Sequence, residues 1–111
     1  EHVLNQIRRL VEQTNSLQSF LVFHSLGGGT GSGFTSLLME RLTRDYGKKT
    51  RLEFAVFPSP KLSTVLTEPY NAVLNTHVSL EYADCVFLVD NEALWNICGE
   101  RLHLRQANFV N

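Results

Sequence analysis

Five of the chain's seven glycines fall between Gly27 and Gly33. They sit directly behind the apolar run Phe20-Leu21-Val22-Phe23-His24-Ser25-Leu26 and directly ahead of a helical pattern. Glycine reaches backbone angles closed to other residues and lets a ligand approach main-chain N–H groups without a Cβ in the way. A helix that opens here aims its unpaired first N–H groups, with the positive end of its dipole, at whatever lies over the loop. The segment is therefore a candidate anion site, with phosphate the best fit. Two common templates fail on it. Gly28 and Gly33 have the outer spacing of a Walker A loop, yet Phe34-Thr35 stands where Lys-Ser/Thr is required. The G-x-G-x-x-G dinucleotide pattern also breaks, because its third glycine falls on Ser32, Phe34 or Ser36. Without a lysine in the loop, phosphate would be held by backbone amides and by the hydroxyls of Thr30 and Ser32. The same glycines would also suit a turn that binds nothing.

The remaining chain alternates two periodicities. Val3, Leu4, Ile7, Leu10 and Val11 recur at helical spacing, which predicts a first helix ending near Thr14-Asn15-Ser16. A strand follows from about Leu17 to Leu26, nearly continuous in apolar residues, as in sheets covered on both faces. Behind the glycines, Phe34, Leu37, Leu38, Leu42 and Tyr46 form the expected buried stripe of a second helix, stopped by Gly47 and Lys48-Lys49. Leu52 to Phe57 is a second strand, cut off by Pro58-Ser59-Pro60. An irregular loop carrying Ser59, Lys61, Ser63 and Thr64 leads to Thr67-Glu68-Pro69, where Thr67 can cap a third helix and Pro69 fits its first turn. Tyr70, Val73, Leu74, His77 and Glu81 follow on one face of it. Ala83 to Val89 is a third strand ending in Asp90-Asn91, and a fourth helix carries Ala93, Leu94, Ile97 and Cys98. One helix, then strand and helix three times over, implies an α/β fold with parallel strands, right-handed crossovers and helices on both faces. Ligands bind such sheets off the carboxyl ends of the strands. Here those ends are the Gly27–Gly33 loop, the Pro58–Thr67 loop and Asp90-Asn91, which should converge.

Composition narrows the partners. A chain of 111 residues with 43% hydrophobic content has the size and core of one domain. Its net charge of -1 provides no global field to gather nucleic acid or an anionic membrane. Cys85 and Cys98 have neither metal-ligand nor C-x-x-C spacing and are expected to be reduced core thiols. The sequence shows no signal peptide, lipidation site, internal repeat or bilayer-spanning apolar run. It starts inside a helical pattern without methionine and stops at Asn111 with no closing element, so it reads as a piece of something larger.

The run Ser25-Leu26-Gly27-Gly28-Gly29-Thr30-Gly31-Ser32-Gly33 closely resembles the G-G-G-T-G-S-G signature of tubulins. The likeness continues through Gly33 to Leu42, Asp45-Tyr46-Gly47-Lys48-Lys49, Glu68-Pro69-Tyr70-Asn71 and Val89-Asp90-Asn91-Glu92-Ala93, so it covers essentially the whole chain. Phe34-Thr35-Ser36 and the Asp-Tyr-Gly-Lys-Lys run favour the α chain. The resemblance implies that residues 1–111 are part of the tubulin N-terminal GTPase domain, a three-layer parallel sheet of Rossmann-like topology. It implies a GTP-binding structural subunit that pairs with β-tubulin and neighbouring tubulin subunits in microtubules, in the cytoplasm and cytoskeleton. By the same resemblance, Ser25, Gly28, Gly29, Thr30 and Gly31 would surround the phosphates, and Thr64 would contact the nucleotide. Glu68 would bind the ribose, although the helix dipole alone also favours a carboxylate there. Asn91 would read the guanine edge, a role suited to its paired donor and acceptor, or would serve as a helix cap.

This sequence also departs from the family. Phe109 stands where tubulins usually carry a tyrosine stacked on the base, which keeps the stacking and loses the hydroxyl. Trp95 and Gly99 differ from the usual α pattern, and Gly99 costs about 1 kcal/mol against alanine if the fourth helix runs through it. The family's first phosphate loop, the acids near Mg2+, a second base-reading asparagine and the hydrolysis-promoting acid would lie outside the segment. No residue here is assigned a catalytic or metal-binding role. His2, His24, His77 and His103 lack nucleophile partners or metal spacing and are expected to be structural or exposed. Two other functions remain open: a vestigial or truncated tubulin-like chain without nucleotide affinity, and an α/β enzyme using a dinucleotide.

Overall fold

The computed structural model describes residues 1–59 and 65–102, so Lys61, Ser63, Thr64, His103 and Phe109 lie outside the described residues. The elements are α1 (His2–Gln13), β1 (Ser19–Ser25), a π-helical turn (Thr30–Phe34) running into α2 (Thr35–Asp45), β2 (Thr50–Phe57), α3 (Glu68–Tyr82), β3 (Cys85–Asp90) and α4 (Asn91–Glu100). The three strands form one parallel sheet in the order β1-β2-β3. This is the α/β arrangement expected from the alternating pattern.

Successive side chains in a strand point to opposite faces. The register puts Phe20, Val22 and His24 of β1 beside Arg51, Glu53 and Ala55 of β2, with Val86 of β3 opposite Glu53. Ala55 on this face is buried with Leu26 and with Ala72 of α3, and Val86 packs against them. Helix α2 lies next to α3 and buries Thr35, Met39 and Leu42, while the Phe20 ring meets Tyr46 at 5.2 Å. Both crossover helices lie on one side, as right-handed connections between sequential neighbours require. The opposite face carries Leu21, Phe23, Phe54 and Phe87. Leu21, Phe23 and Phe87 are exposed, so β1 is not covered on both faces as its apolar run suggests, and Phe87 stacks on Phe54 with ring centroids 4.6 Å apart.

Several local expectations change. The buried stripe of α2 is Thr35, Met39 and Leu42, leaving Phe34 and Leu37 exposed. Helix α3 buries Ala72, Asn75 and Ser79 and turns Tyr70, Val73 and Leu74 outward. The physical reason is proximity: α3 lies so close to the glycine loop that small and hydrogen-bonding side chains fit the contact. Thr67 precedes α3 without a side-chain capping bond, whereas Pro69 does occupy the first turn. Cys85 is exposed and Cys98 half-buried, so neither is a core thiol. Helix α4 does continue through Gly99.

Candidate functional site

Strand β1 ends at Ser25, and its last inter-strand bond runs from Leu26 N–H to the Val56 oxygen at 3.0 Å. The chain then turns through Gly27 to Gly29 and begins to coil. The first main-chain bond of the coil runs from Ser32 N–H to the Gly28 oxygen at 2.9 Å. The N–H groups of Gly29, Thr30 and Gly31 come before that ladder and have no helical acceptor. Glycine is required at Gly31, where an added Cβ would overlap the Ser25 carbonyl oxygen. Ser32 does not act as expected: its hydroxyl is buried and donates to the Gly28 oxygen at 2.6 Å, bracing the turn from inside. Thr30 is exposed, so its hydroxyl and the amides remain for an incoming anion.

A cavity of about 190 Å³ opens at the carboxyl ends of the strands, lined by Ser25, Gly27, Val56, Phe57, Pro58, Ser59, Glu68 and Asn91. All three chain segments predicted to converge contribute to it. A Cβ on Gly27 would lie 3.0 Å from Glu68 Cγ and 3.3 Å from its Oε1, so the bare glycine lets the carboxylate settle over the start of the loop. At the other side Asp90 Oδ1 accepts from Glu92 N–H at 2.9 Å and caps α4. Asn91 is thereby left uncommitted as a cap and lines the cavity. Ser59 donates to Glu92 Oε2 at 2.8 Å, tying the end of β2 to the first turn of α4.

Residues 1–99 match the GTPase domain of the Tubulin/FtsZ family. The chain belongs to this family. Membership carries guanine-nucleotide binding of a cytoskeletal type and association between family subunits.

For a Tubulin/FtsZ chain the donor set fits a nucleotide. Free amides and the Ser25 and Thr30 hydroxyls suit phosphate. The Glu68 carboxylate would repel phosphate but accepts hydrogen bonds from sugar hydroxyls, and the Asn91 amide offers a donor and an acceptor to a base edge. Of the expected site residues, Ser25, Glu68 and Asn91 share the cavity, and Gly28, Gly29, Thr30 and Gly31 form the loop beside it. Thr64 and Phe109 lie outside the described residues. Three side chains support the loop from behind: His24, expected to be structural or exposed, and Asn71 and Asn75, to which the sequence assigns no role. His24 Nδ1 lies 2.7 Å from the Gly31 oxygen, Asn71 Nδ2 donates to the Gly27 oxygen at 2.9 Å, and Asn75 Nδ2 donates to the Ser32 oxygen at 2.9 Å. The i, i+4 spacing of Asn71 and Asn75 is a usable signal, since it puts two amides on one face of the helix that leaves the second strand-end loop, beside the glycine loop. Among the described residues no helix is long and apolar enough to cross a membrane.

Proposed function

We propose that this chain is a GTP-binding structural subunit of the α-tubulin kind, that residues 1–111 are part of its N-terminal GTPase domain, and that it pairs with β-tubulin in microtubules of the cytoplasmic cytoskeleton. The observation that supports this reading best is the convergence of Ser25, Glu68 and Asn91 on one cavity beside a loop whose first amides lack helical acceptors. Ser25, Gly28, Gly29, Thr30 and Gly31 hold the phosphates, Glu68 the ribose and Asn91 the guanine edge. Thr64 and Phe109 complete the nucleotide contacts in this reading, with Phe109 stacking on the base. Mg2+ accompanying GTP is held by residues outside 1–111, and no residue of the chain takes a catalytic role. The decisive experiment compares equilibrium binding of GTP, ATP and NAD to the complete polypeptide carrying this sequence, together with co-sedimentation in β-tubulin polymers. GTP-selective binding with co-sedimentation is expected. A preference for NAD would overturn the reading in favour of a dinucleotide enzyme, and no nucleotide binding at all would leave a vestigial chain.

A further inference from the structure

The π-helical turn ahead of α2 takes the α-helical donor away from one carbonyl. In an α-helix the Thr35 N–H would bond to the oxygen of Gly31, four residues back. Here it bonds to the oxygens of Thr30 and Ser32 and passes over Gly31. His24 fills that place from β1, with Nδ1 2.7 Å from the Gly31 oxygen. A carbonyl oxygen only accepts, so Nδ1 carries the hydrogen in this contact. The ring is 7% exposed, and Glu53, 1% exposed, places Oε1 3.9 Å from Nε2. That separation is too long for a hydrogen bond but holds a carboxylate against the far edge of the ring. Neither residue lines the cavity. From the other side Asn75 donates to both the Ser32 oxygen and Ser36 Oγ, at 2.9 and 2.8 Å, so the turn is gripped between β1 and α3.

We propose that His24 is a positioning residue for the phosphates of the bound nucleotide. By donating to the Gly31 oxygen it stabilises the π-helical turn, and that turn sets the direction in which the N–H groups of Gly29, Thr30 and Gly31 point. π-helical turns recur at functional sites because they re-aim backbone groups at the cost of one helical bond, and His24 replaces that bond. Glu53 lies beside the opposite edge of the ring without a hydrogen bond to it. The inference rests on the nucleotide reading above and adds to it a residue behind the loop.

The test combines the ring's nitrogen-15 NMR signature with GTP binding by the wild-type polypeptide, His24→Leu and His24→Asn, all compared by thermal melting. Asparagine keeps a short N–H donor near the Nδ1 position and leucine does not. The expected results are a protonated Nδ1, a roughly tenfold loss of GTP affinity in His24→Leu, and recovery of most of that loss in His24→Asn. A wild-type protein that binds no GTP would overturn the nucleotide reading and this inference with it. Wild-type binding alongside an unprotonated Nδ1, an unchanged His24→Leu, or a folded His24→Asn that binds as poorly as His24→Leu would overturn this inference alone. Should His24→Leu fail to fold, the tautomer and the His24→Asn affinity decide.

Discussion

The two faces of the sheet invert the usual division between polar and apolar residues. The face under α2 and α3 buries His24, Arg51, Glu53 and Ala55, whereas the other face displays Leu21, Phe23 and Phe87 to solvent. The covered face thus mixes a small apolar core with buried polar side chains, while the larger aromatic residues lie on the other. The difference arises because the covered face supports the glycine loop, and a loop with carbonyls turned into the protein needs buried donors beneath it. His24, Asn71 and Asn75 supply those donors. Arg51 belongs to the same face at the far end of the sheet, where its N–H and Nη2 both reach the Asp84 carboxylate, at 2.8 and 3.1 Å, and fix the start of β2 against the chain entering β3. A covered polar face and an open apolar face should respond oppositely to mutation.

The sharpest way to break the comparison is Gly31→Ala. Its methyl group would overlap the Ser25 carbonyl, which is backbone at the end of a strand and cannot swing aside, so a loss of about 3 kcal/mol is expected in chemical denaturation. A change under about 0.5 kcal/mol would mean that the loop is not pinned to β1. Glu53→Ala comes next. Removing this fully buried side chain opens a void beside the imidazole, at a cost of about 2 kcal/mol read from the same denaturation curves. Thr30→Val should leave the melting temperature unchanged and weaken GTP binding about fivefold, as loss of one ligand-facing hydroxyl would do. Unchanged affinity would remove Thr30 from the site. The smallest effect belongs to the apolar face: Phe23 is 72% exposed, so Phe23→Ser should shift stability by no more than about 0.5 kcal/mol. A cost of about 2 kcal/mol would show that something covers this face in solution.

The elements were legible because each rests on local chemistry. The alternation of apolar runs with helical patterns, the proline break at Pro58 and the glycine cluster marked three strands, three following helices and the loop between the first pair. The cavity followed from topology, since parallel strands bring their carboxyl ends together. Helix faces were less legible. The apolar stripe of α3 pointed to Tyr70, Val73 and Leu74, but the loop selected Ala72, Asn75 and Ser79, because a helix packed against glycine backbone gains more from small side chains and amide donors than from bulk. The Ser32 hydroxyl was assigned to a ligand for a related reason: sequence cannot say which way a hydroxyl turns when a carbonyl of its own loop lies 2.6 Å away.

By itself the sequence determined the α/β class, the order of the elements, the lysine-free glycine loop and its family signature, all of which depend on residues close together in the chain. Tertiary structure decided the rest. It chose the polar face of the sheet as the covered one, converted the opening of α2 into a π-helical turn, and recruited His24, Asn71 and Asn75 to hold carbonyls up to 44 residues away in sequence. Those choices depend on where distant backbone groups are left without partners, and that becomes defined only when β1, the loop and α3 have been brought together.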